Sequence, residues 1–210
     1  MLPEIIILSV LILSIVLHEV AHGYAANWLG DPTARLAGRL SANPLLHIDP
    51  VGSILIPGFL FLTHSPFLFG WAKPVPYNPY NLRNQKWGES IVAVAGPLSN
   101  ILLAVIFAGI IRSGSMLGLS PEFMSMAGYI VSINVLLALF NIIPLPPLDG
   151  SKVIIPFLPF TLQQKYRSFA ISIERMGFLS LFFMISIFMF VLSNPFFALV
   201  NYVQTLLIGF

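Results

Sequence analysis

The sequence predicts an all-α polytopic membrane protein. Three observations carry this. Of the 210 residues, 57% are hydrophobic and only 9% are charged, against about 25% charged in soluble domains. Apolar runs of membrane-crossing length recur, separated by short polar connections. No soluble domain, internal repeat or low-complexity tail interrupts them, so residues 1–210 read as a single integral membrane domain. The net charge of +2 is too small to suggest nucleic acid as a partner. There are no cysteines, so any metal ligands must be His, Asp or Glu.

The first span runs from about Leu2 to Leu29, long enough to cross with some tilt. Gly30, Asp31 and Pro32 end it. It does not read as a cleaved signal peptide, because the charged side chain ahead of the apolar run is Glu4 rather than Lys or Arg. From Ile5 to Leu17 nothing is more polar than Ser9 and Ser14. Then His18, Glu19, Val20, Ala21 and His22 spell H-E-x-x-H. An ionisable group in a span costs roughly 2.5–3.5 kcal/mol by insertion scales, so three together need partners, and a divalent metal supplies one. On a helix His18 and His22 share a face. Glu19 lies about 60° round from His22. This is the metalloprotease spacing: two neutral imidazoles bind zinc and the glutamate takes a proton from zinc-bound water.

Residues 31–50 form a polar connection with Arg35, Arg39, His47 and Asp49. An apolar stretch from Val51 to Gly70 follows, divided at Pro57-Gly58 and interrupted by His64 and Pro66. Residues 71–87 are proline-rich and read as extended loop or short strand pairs. A second span is expected from about Gly88 to Ile111, containing Gly96, Pro97 and Asn100. After a connection at 112–126, a third runs from about Ala127 to Ile143. Residues 150–175 read as polar. Met176 to Leu192 is a further span, stopped by Asn194-Pro195, with an apolar tail after it. The core thus occupies about residues 1–152, and one or two more membrane segments about 176–210.

The second constellation is Asn141-Ile-Ile-Pro-Leu-Pro-Pro-Leu-Asp149-Gly150. Proline cannot donate the helical hydrogen bond. Pro144, Pro146 and Pro147 therefore leave the carbonyls of Phe140, Ile142 and Ile143 without their usual donors. Such backbone is tolerated at membrane depth where it is buried in protein or lines a wet cavity. Asp149 ends this segment and is the natural third zinc ligand. Two histidines and a carboxylate leave a fourth position for water. Gly150 lets backbone approach closely.

Metal geometry requires His18, His22 and Asp149 to meet at one depth. His22 lies roughly 10 Å before the end of its span, and Asp149 follows the end of its own. Both must face one side, so residues 51–70 should enter and return, with Pro57-Gly58 as the bend. With that fold-back, Arg35, Arg39, Lys73, Arg83, Lys86, Lys152, Lys165, Arg167 and Arg175 fall on one face and Arg112 on the other. The positive-inside rule then puts the amino terminus outside and the metal site toward the cytoplasm.

These residues resemble the site-2 proteases, intramembrane zinc metalloproteases. HEVAH at 18–22 and NIIPLPPLDG at 141–150 carry the resemblance. HIDPVGSILIP (47–57), GWAKPVPYNP (70–79) and AGPLSN (95–100) are similar to the compact bacterial and archaeal branch. The resemblance implies a three-helix catalytic core in the membrane that cleaves a transmembrane protein or peptide substrate in regulated intramembrane proteolysis. It implies His18, His22 and Asp149 as ligands of one zinc ion and Glu19 as general base. Asn141 matches an asparagine that helps hold substrate or the oxyanion. The family often shows DGG, where this chain has Ser151 after Gly150.

Other polar residues are read more plainly. His47 and Asp49 guard the cavity mouth or have an interfacial structural role. Asn100 bonds to Asn141 or substrate, or makes a packing hydrogen bond; Asn134 has the same alternatives. His64 reads as interfacial, and Trp28, Trp71 and Trp87 fit an aromatic belt. Two competing functions are a divalent-metal transporter and a non-catalytic scaffold. A transporter would usually show repeats and a second polar pathway, and neither is visible in the sequence.

Overall fold

The computed structural model describes residues 2–63, 72–114 and 116–209, and all regular secondary structure among them is helical. Among the described residues, four stretches are long and apolar enough to cross a bilayer: Ile5–Trp28, Gly88–Ser113, Pro121–Asn141 and Met184–Ile208. The chain is a multi-pass membrane protein.

Helix α1, Leu2–Trp28, shows an inside-out arrangement. Ile5, Leu8, Ile12 and Leu13 are exposed, while Ser14, His18 and His22 are buried. Apolar side chains gain nothing by leaving lipid, whereas polar ones must find partners in the protein.

Beyond α1 and the short α2, Thr33–Leu36, Asp31 organises the turn. It is fully buried. One carboxylate oxygen accepts from Thr33 Oγ1 at 2.5 Å and Asn81 Nδ2 at 2.9 Å, and the other accepts from Asn78 N at 2.6 Å. Burial pushes the Asp31 carboxyl up, but these hydrogen bonds outweigh it and hold it below the ordinary carboxylate range. A lowered folded-state pKa contributes stability that is complete above the unfolded value of about 3.9 and lost as pH falls through the folded value. Asp31→Ala is therefore expected to lower the melting temperature at pH 7 by orphaning buried donors, at about 1–3 kcal/mol. The gap between variant and wild type should shrink as the melt is repeated below about pH 4. A gap independent of pH would contradict the ionic role.

His47 and Lys73, on either side of residues 48–72, meet where Lys73 N donates to the His47 carbonyl at 2.9 Å. Arg39 adds hydrogen bonds to the carbonyls of Leu46, Lys73 and Pro74. Asp49 caps a π-helical turn at Pro50–Leu55, accepting from Val51 N and Gly52 N. α3, Ile56–Leu62, continues from it. From Pro50 to Leu62 the helical rise is roughly 20 Å, short of the ~30 Å hydrocarbon core. Pro57 and Gly58 do not form the expected bend. They lie within a continuous helical run, where the π-helical turn Pro50–Leu55 feeds straight into α3 and its wider turn accommodates the N–H that Pro57 lacks. Residues 64–71, including His64, Pro66 and Trp71, are outside the described residues. Residues 72–87 are extended loop with a 3₁₀ turn at Pro79–Asn81, and no strand pair forms among the described ones.

α4, Gly88–Ser113, and α5, Pro121–Asn141, pack tightly. Ala104, Ala108, Ala127 and Val131 are all buried in one cluster. Small residues let the backbones approach closely. α5 begins six residues before the expected Ala127, because Ser120 caps it by accepting from Phe123 N and Pro121 starts the first turn.

Residues 150–175 are not simply a polar connection. After α6, Gly150–Val153, they form α7, Phe160–Arg175, an amphipathic helix tied to the core by Arg167–Glu89 at 2.8 Å and by Tyr166 Oη donating to the Pro144 carbonyl at 3.0 Å. Gly177, at φ +56°, turns the chain into α8, Phe178–Ile187. A π-helical stretch, Phe188–Leu192, leads into α9, Ser193–Ile208. The expected stop at Asn194-Pro195 does not occur. Pro195 cannot donate to the Val191 carbonyl, and the wider turn just before it accommodates that loss. Ser193 Oγ donates to the Met189 carbonyl at 2.7 Å. One span therefore runs to Ile208. Phe188 and Phe196, with ring centroids 5.0 Å apart, pack it against Phe140.

Candidate metal centre

α1 places His18 and His22 one turn apart on its buried face, 5% and 8% exposed. Asp149 arrives from the other end of the chain. The prolines end α5 at Asn141, and residues 142–149 turn back on themselves. Gly150 permits that turn, since a Cβ there would collide with the backbone of Ile142 and Ile143. Asp149 Oδ2 then lies 3.0 Å from His18 Nε2 and 3.2 Å from His22 Nε2. The two Nε2 atoms are 3.1 Å apart.

The opposite ring nitrogens locate the protons. His22 Nδ1 lies 2.7 Å from the Val92 carbonyl, and a carbonyl only accepts, so Nδ1 carries the hydrogen. His18 Nδ1 lies 2.6 Å from Asn100 Oδ1, again an acceptor. In neutral imidazoles both Nε2 atoms then present lone pairs, aimed at each other and at a carboxylate oxygen, all within 4.8 Å. Such a set repels itself unless a cation sits among its members. Two imidazole nitrogens and one carboxylate are a catalytic zinc donor set with a fourth position open. These residues fit zinc.

α4 makes room for the set. A Cβ on Gly96 would lie less than 3.0 Å from Nε2 of both histidines. Pro97 withdraws one helical N–H from this part of α4, and nearby the Val92 carbonyl accepts from His22. Glu19 is half-buried, with Oε2 accepting from Val75 N at 3.0 Å. His18, Glu19, His22, Asn141 and Asp149 share the wall of a cavity of ≈ 200 Å³, closed on the loop side by Pro74, Val75 and Tyr77.

Over 165 residues the chain is 38% identical to a Bacillus subtilis protein named "Putative zinc metalloprotease YwhC", a match spanning 76% of this chain and 71% of that protein. The chain belongs to the site-2 protease family of zinc metalloproteases. It is also 28% identical over 154 residues to "Putative zinc metalloprotease Rip2" of Mycolicibacterium smegmatis, spanning 73% of this chain and 58% of that protein. No family model and no solved structure matches it.

The remaining expected residues of this site-2 protease fall in different places. Asn141 lines the cavity, with Nδ2 donating to the Leu137 carbonyl at 3.0 Å. Asn100, expected to meet substrate or Asn141 or to make a packing hydrogen bond, takes the last of these places, behind His18. It is fully buried and bonded to His18 and Asn134, away from the cavity wall. His47 is buried, its Nε2 donating to the Ser41 carbonyl at 2.9 Å, and Asp49 is a helix cap; neither lines the cavity. Tyr77 and Lys152 were not anticipated as wall residues. Burial pushes the Tyr77 hydroxyl up, which keeps it a hydrogen-bond donor. Lys152 Nζ lies 5.7 Å from the Tyr77 ring. Lys152 sits three residues past Asp149, and that spacing was the available signal.

Proposed function

We propose that this site-2 protease is an intramembrane zinc metalloendopeptidase that hydrolyses peptide bonds within or near transmembrane segments of membrane-protein substrates, in regulated intramembrane proteolysis. One observation supports this above others. The metal-binding triad and Glu19 face one cavity, and both histidines lie inside a helix of membrane-crossing length. The cell membrane is its location, with the amino terminus outside and the cavity opening toward the cytoplasm. The charge pattern supports that orientation. If residues 48–72 enter and return, a path the His47–Lys73 hydrogen bond supports, nine of the ten Lys and Arg residues fall on the cavity side, as the positive-inside rule requires.

His18, His22 and Asp149 would hold the ion. Zinc, when bound, polarises the scissile carbonyl and acidifies water. Glu19, oriented through Oε2 by Val75 N–H, takes the proton of the attacking water on Oε1 and passes it to the leaving amine. Asn141 Nδ2 carries two hydrogens. One is spent on Leu137, and the other donates to the developing oxyanion. A substrate helix hides its own carbonyls, so it must unwind. The extended backbone at 72–78 and the proline-broken turn at 142–149 face it across the cavity and pair with the freed segment.

The test is cleavage in liposomes of a protein with one transmembrane segment. Fragments should map within or beside that segment. A chelator should abolish the activity and added zinc restore it. Cleavage confined to distant soluble loops would contradict the intramembrane reading. Metal flux that survives Glu19→Gln would favour transport instead.

A further inference from the structure

Behind His18 runs a file of buried polar side chains with no part in the steps above. We propose that Asn134, Asn100 and Ser14 form a relay of fixed polarity that locks His18 in its Nδ1–H form and aims Nε2 at the metal position. This rests on the metal-centre reading of His18.

The polarity is set at the far end. Asn134 Nδ2 lies 2.9 Å from the Ile130 carbonyl, which can only accept, so the amide nitrogen must point there. Its second hydrogen goes to Ser14 Oγ at 2.9 Å. Asn134 Oδ1 is left facing Asn100 Nδ2 at 2.7 Å. That commits the Asn100 nitrogen as donor and turns its Oδ1 to His18 Nδ1 at 2.6 Å. Flipping either amide would set two oxygens or two N–H groups against each other. Ser14 is 3% exposed and both asparagines 0%, so water cannot repair a mismatch. Each link leaves one arrangement open, and the last puts the proton on Nδ1. Partners behind a ligating histidine orient it in this way, and losing one typically lowers metal affinity 10–100-fold.

The relay joins three helices: Ser14 and His18 on α1, Asn100 on α4, Asn134 on α5. His22 differs, because its anchor is the main-chain carbonyl of Val92. His18 is thus the imidazole whose orientation depends on side chains. Asn100 and Asn134 are positioning residues; neither lines the cavity.

The experiment measures zinc affinity by chelator competition on the purified full chain in detergent, with melting temperature recorded on the same samples. Asn100→Leu and Asn134→Leu should each weaken zinc about 10–100-fold. Asn100→Asp should return to within about threefold of wild type, since a protonated carboxyl reproduces both the donor to Asn134 and the acceptor for His18. Lower melting temperatures with unchanged zinc affinity would show a merely structural role and overturn the proposal. So would Asn100→Asp as weak as Asn100→Leu. If Asn100→Leu does not fold, Asn134→Leu decides, because it breaks the polarity one residue further from the imidazole. His18→Ala separates the two readings. Zinc binding indifferent to His18→Ala overturns the metal centre and the relay with it. Binding that needs His18 but ignores Asn134→Leu overturns the relay alone.

Discussion

Glu19→Gln is expected to lower the rate of transmembrane-substrate cleavage by about 10²–10⁴-fold, the usual worth of a positioned acid–base group, while zinc stays bound. The substitution is well suited to the geometry. Glutamine can still present an oxygen to Val75 N–H, which Glu19 Oε2 accepts from at 3.0 Å. The loop contact survives and only proton acceptance is lost. None of the three atoms that converge on the metal position belongs to Glu19. Single-turnover cleavage with zinc content measured on the same protein separates the two effects. Full turnover would refute the base assignment, and loss of zinc would show that Glu19 holds the ion.

Gly96→Ala is expected to be nearly as damaging, though it removes no functional group. An added methyl would lie under 3.0 Å from Nε2 of both histidines, closer than real Cβ atoms approach anything. Either α4 moves away from α1 or the imidazoles rotate, and both outcomes break the 3.0–3.2 Å convergence on Asp149. Zinc affinity should fall by about 100-fold or more, at or beyond the upper end seen for disturbed ligand orientation. The sign makes the test informative. Gly→Ala in a helix interior ordinarily stabilises by ~1 kcal/mol. Gly109, in the same helix with nothing within 4 Å of its would-be Cβ, supplies the control: Gly109→Ala should leave zinc and activity intact. Equal zinc affinity in both variants would contradict the role given to Gly96.

The long spans and the triad were legible in the sequence for one reason: each is announced by a strong local contrast. Two histidines in an apolar run, or an aspartate after three prolines, stand out against their surroundings, and metal geometry then demands that they meet. α1 and α4 end within two residues of their expected bounds because charged or glycine-rich segments flank them. What was not legible depended on backbone hydrogen bonding. Pro57 looked like a bend and is carried inside a helical run by the π-helical turn before it. Pro195 looked like a stop and is accommodated by the π-helical turn before it. The start of α5 rests on a serine cap in a stretch too polar to look like a span. Asn100 was visible as a polar residue inside a helix, but only the packing of α4 against α1 shows that it faces the back of His18. Gly96 was read only as a residue inside the second span, whereas its importance lies in the space it leaves.

The central claim is that one zinc ion is held by His18, His22 and Asp149. Zinc K-edge X-ray absorption on the purified protein tests it most directly. The expected spectrum shows about four light ligands at roughly 2.0–2.2 Å, two of them imidazole nitrogens, at one zinc per chain, with Asp149→Ala stripping the metal. A spectrum without imidazole scattering, or full zinc occupancy in Asp149→Ala, would contradict it.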